Sequence, residues 1–290
     1  MKTSTFVIAS SLGGAAQQTL PRVDRAAVVR GVTSRGVFLA IDRRVIFVSI
    51  ERWRGPLTIN VDRPIDCAPG DSVRLSPTRL IFPAFEVDLA GAAVWQPTAP
   101  SPPIRSSVEQ CETLRQLTAS VLARRAPQGF GVLLPHLLDL PEKQAFSAGE
   151  AARLARLKQL RESIGNANFE QAATLIDGLL GLGRGLTPSG DDVTIGLLLM
   201  LNRWRRDRDW RELNQRVIDL ADRRTTTLSA NLIACAANGD ADERLITVID
   251  GVVRGTPSPE DCAACVLAWG NSSGLDALIG MALTLTGVCT

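Results

Sequence analysis

Two short segments of the chain share a pattern whose residue types suit the binding of a small anion. Residues 189–196 read S-G-D-D-V-T-I-G and residues 273–280 read S-G-L-D-A-L-I-G, so both fit S-G-x-D-x-x-x-G. Each segment leads into an apolar run with helical spacing, which places the pattern at the beginning of a helix. The first turn of a helix offers free backbone N–H groups and the positive end of the helix dipole. The repeat therefore predicts a pair of anion-binding helix starts.

The segments around the two patterns add side chains that could bind such an anion or react with it. The glycine-rich run 181–188 precedes the first pattern, and its Arg184 offers a fork for a carboxylate or a phosphate. Asp192 and Asp276 are the candidate catalytic residues, because a carboxylate can orient a substrate amide or act as a base. A related hydroxyl-rich stretch, 225–229, also runs into a helix. The predicted substrate-binding residues are Gly183, Arg184, Gly185, Thr187, Ser189, Gly190, Asp191, Ser272, Ser273 and Gly274.

A structural explanation accounts for part of the same pattern. Ser-x-x-Asp is a capping box, in which the serine caps the helix and the aspartate faces the helix dipole. Gly196 and Gly280 would let two helices cross closely, at a cost of about 0.5–1 kcal/mol each in a helix interior. Capping does not explain Gly190 and Gly274, which would let another group approach the backbone at the helix start.

Several other kinds of site are excluded or disfavoured. A P-loop would need G-K-[ST], which is absent here, and a Rossmann fingerprint would need glycines after a strand rather than after a helical run. His136 is the one histidine, so we predict no histidine-based metal site and expect a structural role for it. Cys262-x-x-Cys265 has no second pair and is predicted to be buried packing. No cofactor is certain, although Mg²⁺ remains an option beside Asp192 and Asp276.

The composition is that of a globular protein, with 45% apolar and 21% charged residues in a chain of 290. A net charge of +2 does not indicate a nucleic-acid or membrane partner. The run 203–211 interleaves arginine and tryptophan, but its aspartates favour a solvated helix end with ion pairs. The longest apolar run near the N-terminus has four residues, too few for a signal peptide. We therefore expect a cytoplasmic protein with reduced thiols.

The pattern of elements changes near residue 100 and predicts an α+β chain. Four prolines in residues 96–103 mark a linker. We assign a β-rich domain to residues 1–98, a proline-rich linker to 99–105 and an α-helical domain to 106–290. Short β-branched runs broken by turns predict a small antiparallel barrel or sandwich, and the helical domain should be a bundle. The predicted strands are 26–32, 36–41, 44–50, 57–61, 72–75, 79–82 and 85–89, and the predicted helices begin near residues 106, 147, 169, 191, 210, 228, 244, 258 and 273.

Residues 181–192, which read G-L-G-R-G-L-T-P-S-G-D-D, resemble the signature of a bacterial family long known as a domain of unknown function. That family includes AllH, a subunit of oxamate carbamoyltransferase. Residues 270–276 resemble the second motif of the family, where histidine is common at the position of Asn271, and residues 225–229 resemble a middle motif. AllH belongs to a multi-subunit enzyme of allantoin breakdown that converts oxalurate and phosphate to oxamate and carbamoyl phosphate.

The resemblance and the residues together suggest two functions. The first is a metabolic enzyme or enzyme subunit that binds a small anion, such as phosphate, carbamoyl phosphate or a short carboxylate, and transfers a carbamoyl group. The second is a non-catalytic assembly or metabolite-sensing subunit of a larger complex. Partner subunits belong to the second function and are an option for the first.

Overall fold

The computed structural model describes residues 5–102, 104–141, 145, 147–205 and 208–285. The chain divides into two compact units, Met1–Thr98 and Ala99–Thr290. Strands build the first unit and helices build the second, which is an α+β arrangement. Of the described helices, none combines the length and the apolar composition needed to cross a membrane. Pro103, in the predicted linker, lies outside the described residues.

The first unit is a barrel whose eight strands lie within residues 5–88, all of them described. The strands follow the order β5-β4-β3-β2-β6-β7-β8-β1, and pairing of β1 with β5 closes the barrel. Strand β9 lies along the second half of β1, beyond the end of β8. The elements are β1 Thr5–Gly13, α1 Gly14–Thr19, β2 Arg25–Thr33, β3 Gly36–Ile41, β4 Arg44–Ser49, β5 Thr58–Val61, β6 Ser72–Leu75, β7 Arg79–Ile81, β8 Phe85–Asp88 and β9 Ala93–Trp95.

The barrel is mixed, so the prediction of an antiparallel sheet is wrong in part. Hairpin neighbours such as β2 and β3 are antiparallel. However, β1 runs parallel to β8 and to β9, and β4 runs parallel to β5. The parallel pairs formed by β1 join distant parts of the chain. The eight-residue connection 50–57 returns the chain so that β5 enters in the direction of β4. Local turn signals predict hairpins but carry no information on how a barrel closes.

Alternation along the strands fills the barrel with apolar side chains. In β6, for example, Val73 and Leu75 are fully buried while Ser72 and Arg74 are exposed. This two-residue period sends successive side chains to opposite faces of a sheet. The interior thus forms one apolar cluster that includes residues from β1 to β8.

The second unit consists of helices joined by short connections. The predicted capping boxes at Ser106 with Glu109 and at Ser147 with Glu150 are confirmed, and Ser258 caps a helix with Pro259 at its first position. The described elements are α2 Ser107–Leu122, a 3₁₀ turn Gly131–Leu133, α3 Leu134–Leu137, α4 Ala148–Gly165, α5 Phe169–Asp177, α6 Ser189–Arg203, α7 Arg211–Arg224, α8 Thr227–Ala236, α9 Glu243–Arg254, α10 Pro259–Ala268 and α11 Ser273–Ala282.

Helices α6 and α11, which begin with the two S-G-x-D motifs, pack against each other at the centre of this unit. Nearly all of their residues are buried. A Cβ atom on Gly196 would clash with the carbonyl oxygen of Ala277, and one on Gly280 would clash with that of Val193. The predicted close crossing at this glycine pair is therefore confirmed. It brings the beginnings of the two helices together.

The cysteines differ in part from the prediction of reduced thiols. Cys111 is disulfide-bonded, so the prediction is wrong for this residue. Disulfide pairing depends on which cysteines the fold brings together, and spacing along the chain does not show this. Cys262 and Cys265 are buried, as predicted for packing, and burial raises the pKa of Cys262 to about 12.

The arginine- and tryptophan-rich run 203–211 is only partly the solvated helix end that its composition predicts. Arg203 is buried and donates two hydrogen bonds of 2.7 Å to Asp250. Trp210 is also buried, whereas the ion pair between Arg211 and Asp209 is exposed. Arg206 and Asp207 lie outside the described residues.

Candidate functional site

The two motif serines are not the helix caps that the Ser-x-x-Asp pattern predicts. Helix α6 is capped by Pro188 and α11 by Ser272, and neither cap makes a side-chain hydrogen bond to the helix. Ser189 and Ser273 are instead the first residues of their helices. Asp192 and Asp276 are then the fourth residues, one position past the place of a capping aspartate. Both carboxyl groups are fully buried in the unit.

Each motif supplies a serine to the aspartate of the other motif. The hydroxyl of Ser189 interacts with Asp276, and the hydroxyl of Ser273 interacts with Asp192. In both cases the hydroxyl lowers the pKa of the carboxyl group that it faces. This exchange follows from the close crossing of α6 and α11, which sets one helix start against the other. The site is therefore formed by both motifs and does not consist of two separate copies.

Asp276 is held by a loop that the sequence reasoning missed. Its Oδ1 accepts hydrogen bonds from the backbone N–H groups of Phe130 (2.7 Å) and Gly131 (3.2 Å). Gly129 has a φ of +61°, and a Cβ atom there would lie 2.8 Å from both carboxyl oxygens of Asp276. The segment reads P-Q-G-F-G, a turn signal that could have marked a close approach but not its partner.

The second oxygen of Asp276 and both oxygens of Asp192 have no hydrogen bond of standard geometry among the described residues. Burial raises the pKa of Asp276 to about 6, and the serine and backbone donors oppose this rise. Burial raises the pKa of Asp192 well above its ordinary value. The negative charge of Asp276 raises it further, while Ser273 and Thr187 lower it. Two neighbouring buried carboxyl groups resist a second ionisation, so the pair holds a proton near neutral pH.

Asp191 has a different environment from its neighbour Asp192. Its Oδ1 accepts from the N–H of Gly181 at 2.8 Å, and its Oδ2 accepts from the hydroxyl of Thr225. Burial raises its pKa, while Thr225, Gly181 and Ser229 lower it. Asp191 was predicted to bind substrate. In the structure its two oxygens tie the glycine-rich run to the segment before α8.

The middle motif, residues 225–229, also holds the glycine-rich run from its other end. The hydroxyl of Thr226 donates to the carbonyl oxygen of Leu186 at 2.6 Å and also caps α8. Together with the bond from Thr225 to Asp191, this contact fixes both ends of the run 181–186. The middle motif therefore positions the loop.

Gly190 and Gly274 pack against the chain itself, which contradicts their predicted place in an anion cradle. The N–H of Gly190 donates to Leu182 O at 2.9 Å, and the N–H of Gly274 donates to Trp269 O at 3.1 Å. A Cβ atom on either glycine would clash with a backbone carbonyl group, that of Leu179 or that of Val266. The group that approaches these helix starts is thus protein backbone, and we leave both glycines out of the site.

The remaining predicted residues lie at the edge of the site. Gly183 and Gly185 have φ values of +127° and +97°, which only glycine adopts without strain. The space beside Gly185 is open, and Arg184 next to it is exposed. Half-buried side chains form the rim around the two carboxyl groups; they are Thr187, Ser189, Ser272 and Ser273. The two carboxyl groups are thus buried beside these four half-buried hydroxyl side chains.

Residues 179–285 match a family model described as oxamate carbamoyltransferase subunit AllH. Over these residues the chain is similar to the AllH family. The match contains both S-G-x-D motifs, the glycine-rich run and the middle motif. A comparison with curated proteins and one with solved structures give no significant match.

The AllH match does not extend over every part of the site. It begins at residue 179, after the loop that contains Gly129, Phe130 and Gly131. The backbone donors to Asp276 therefore come from outside the matched region. Among the described residues, no group of three or more His, Cys, Asp or Glu side chains could hold a metal ion. Mg²⁺ often uses only one or two protein carboxylates together with substrate oxygens, and Asp192 and Asp276 are two such carboxylates.

Proposed function

We propose that the chain is an AllH-type subunit that binds a small carbamoyl-bearing anion where α6 and α11 begin and takes part in carbamoyl transfer. The reaction would exchange a carbamoyl group between oxalurate or oxamate and phosphate or carbamoyl phosphate. One observation carries the proposal. Three carboxyl oxygens of Asp192 and Asp276, which make no hydrogen bond of standard geometry among the described residues, are buried beneath polar rim residues at the two motifs.

A purely structural role explains this arrangement poorly. Leaving a buried polar group without a partner costs about 1–3 kcal/mol, and more if the group is charged. An apolar residue of similar size at either aspartate would avoid that cost. Buried carboxyl groups with raised pKa values, beside half-buried hydroxyl groups, are typical of sites that bind or convert a ligand. These features support a functional role for the pair.

The residues suit the charge changes of carbamoyl transfer. The nucleophile loses a proton as it attacks the carbamoyl carbon, and the leaving group gains one. A carboxyl pair that shares one proton could accept the first and donate the second. In this proposal Asp192 and Asp276 orient the substrate and manage protons, and the hydroxyl oxygens of Ser189 and Ser273 contact it. The outer anion site consists of Gly183, Arg184, Gly185, Thr187 and Ser272.

A thermal-shift titration tests the proposal on the full chain. The ligands are phosphate, carbamoyl phosphate, oxamate and oxalurate, each with and without Mg²⁺. A ligand at about 100 times its dissociation constant adds about 2.7 kcal/mol of stability, which raises the melting temperature by several degrees. The double variant Ser189→Ala, Asp192→Ala should abolish the shift, and Asp219→Ala, at an exposed position on α7, should keep it. A shift that survives in the double variant would contradict the proposed site.

A non-catalytic assembly or sensing subunit is the second candidate. The matched family is described as a subunit, which favours a requirement for partner chains. Carbamoyl-transfer activity of the isolated chain would support the first candidate. Ligand binding without activity, together with co-purification of a larger complex, would support the second.

A further inference from the structure

The groups that face the two carboxyl groups indicate what can bind beside them. Asp192 faces the hydroxyls of Ser273 and Thr187 and two other carboxyl groups, those of Asp191 and Asp276. None of these groups is a cation. A phosphate or carboxylate placed there would meet carboxyl groups without a compensating positive charge, and such a contact is strongly unfavourable in a buried site. The anionic part of a ligand must therefore bind elsewhere.

Asp276 offers the complementary half of the site. Its Oδ1 accepts from the N–H groups of Phe130 and Gly131. The hydroxyls of Ser189 and Ser272 act on the same carboxyl group, but among the described residues Oδ2 makes no hydrogen bond of standard geometry and can accept one from a ligand. An ionised carboxylate oxygen accepts from N–H or O–H groups and donates to none. The bottom of the site thus calls for a neutral group with N–H donors.

We propose that the Asp192–Asp276 pair recognises a neutral primary amide, –CO–NH₂. The carboxyl of Asp192 pairs with the amide face to face, and Oδ2 of Asp276 accepts its second N–H. A protonated carboxyl has an O–H donor beside a C=O acceptor, and a primary amide has a C=O acceptor beside an N–H donor. The two groups therefore form two parallel hydrogen bonds. Burial, which raises the pKa of Asp192 well above its ordinary value, supplies the protonated form.

This inference rests on the proposed function and adds the orientation of the ligand. The amide end lies at the buried pair, and the anionic end lies outward at the loop of Arg184 and Gly185. That loop has the exposed guanidinium group and the open space beside a glycine. The substrate class is thus a short molecule with a primary amide at one end and an anion at the other.

Oxamate and pyruvate provide a matched pair of probes. Both are short carboxylates, and they differ only in that the –NH₂ of oxamate is –CH₃ in pyruvate. Dissociation constants are measured by calorimetry on the full chain, with inorganic phosphate as a third probe. We expect oxamate to bind at least about tenfold more tightly than pyruvate, because pyruvate leaves buried acceptors unpaired.

Two substitutions of Asp192 distinguish the effect of its hydrogen-bonding atoms from the effect of its size. Asp192→Asn keeps a C=O beside an N–H donor, so the preference for oxamate should remain within about threefold of the wild type. Asp192→Leu has a similar size without polar atoms and should lose most of the preference, because only the bond from the amide to Asp276 remains. Far-UV circular dichroism checks that both variants fold, and the Asn variant preserves the test if the Leu variant does not.

The outcomes distinguish this inference from the proposed function. Equal binding of oxamate and pyruvate by the wild type would overturn the amide orientation and leave the anion site standing. Loss of the preference in Asp192→Asn would overturn pairing with a neutral carboxyl group. Binding of none of the three probes, with or without Mg²⁺, would contradict the proposed site itself.

Discussion

Asp276→Asn removes one buried carboxyl group while keeping an oxygen that can accept from Phe130 and Gly131. In the wild type, burial raises the pKa of Asp276 to about 6 from an ordinary value of 3.8. Between these pH values the native state holds a proton that the unfolded state has released. Each increase in pH over this range therefore favours unfolding. The two pKa values correspond to a loss of about 3 kcal/mol in the unfolding free energy of the wild type. This loss is complete above about pH 6 and absent below about pH 4.

The assay is urea unfolding followed by far-UV circular dichroism, which reports on the helical unit, at a series of pH values. The unfolding free energy of Asp276→Asn minus that of the wild type should increase by about 3 kcal/mol between about pH 4 and about pH 7. Removing the charge also lowers the pKa of Asp192, because that charge is one of the causes of its rise. This coupling acts in the same direction and adds to the gain near neutral pH.

Asp177→Asn is a control of opposite sign. The guanidinium of Arg224 holds the pKa of Asp177 below its ordinary value. This carboxylate stabilises the fold above its ordinary pKa, and the contribution is lost in acid as the pH falls through the lowered pKa. The variant should be less stable than the wild type near pH 7 and approach it in acid. A stability difference for Asp276→Asn that stays constant from about pH 4 to about pH 7 would refute a buried, proton-holding pair.

Two further predictions concern packing and loop positioning. Gly196→Ala or Gly280→Ala should each lower the unfolding free energy by at least about 1–3 kcal/mol, since the added methyl group meets a backbone carbonyl. Gly149→Ala, at a helical position with open space, should be neutral or slightly stabilising. Thr225→Val should lower the unfolding free energy by about 1–3 kcal/mol and speed proteolysis of the glycine-rich run, because the substitution removes a hydrogen-bond donor to buried Asp191. An unchanged proteolysis rate, equal to that of Thr174→Val at an exposed position on α5, would contradict this role of Thr225.

In the barrel, local sequence patterns predict most of the strands but not how the strands pair to close it. Seven of its strands follow from β-branched runs and turn signals, with ends within one or two residues of the structure. Strand β1 was not predicted, although its sequence T-F-V-I-A-S-S-L-G is rich in strand-forming residues. It pairs with β5, β8 and β9, and it is the strand that closes the barrel. Closure depends on contacts between residues about 50 to 80 positions apart, which no local pattern encodes.

In the two motif helices, too, local spacing alone does not predict the role of a residue. The capping boxes at Ser106 and Ser147 were predictable, because each bond joins residues three positions apart. The Ser-x-x-Asp pattern at Ser189 has the same spacing, but there Pro188 takes the cap position. A shift of one position changes the aspartate from a helix cap into a buried group, and packing between two helices decides that shift.

The sequence by itself determined the residue types at the site, the beginnings of the two motif helices and the glycines that let them cross. These features depend on composition and short spacing. Only the tertiary structure decided that each serine faces the aspartate of the other motif. It also decided that Asp191 is satisfied while Asp192 is not, and that Gly129, Phe130 and Gly131 complete the site. Burial and hydrogen-bond satisfaction depend on which distant segments meet, so they become visible only when the chain is folded.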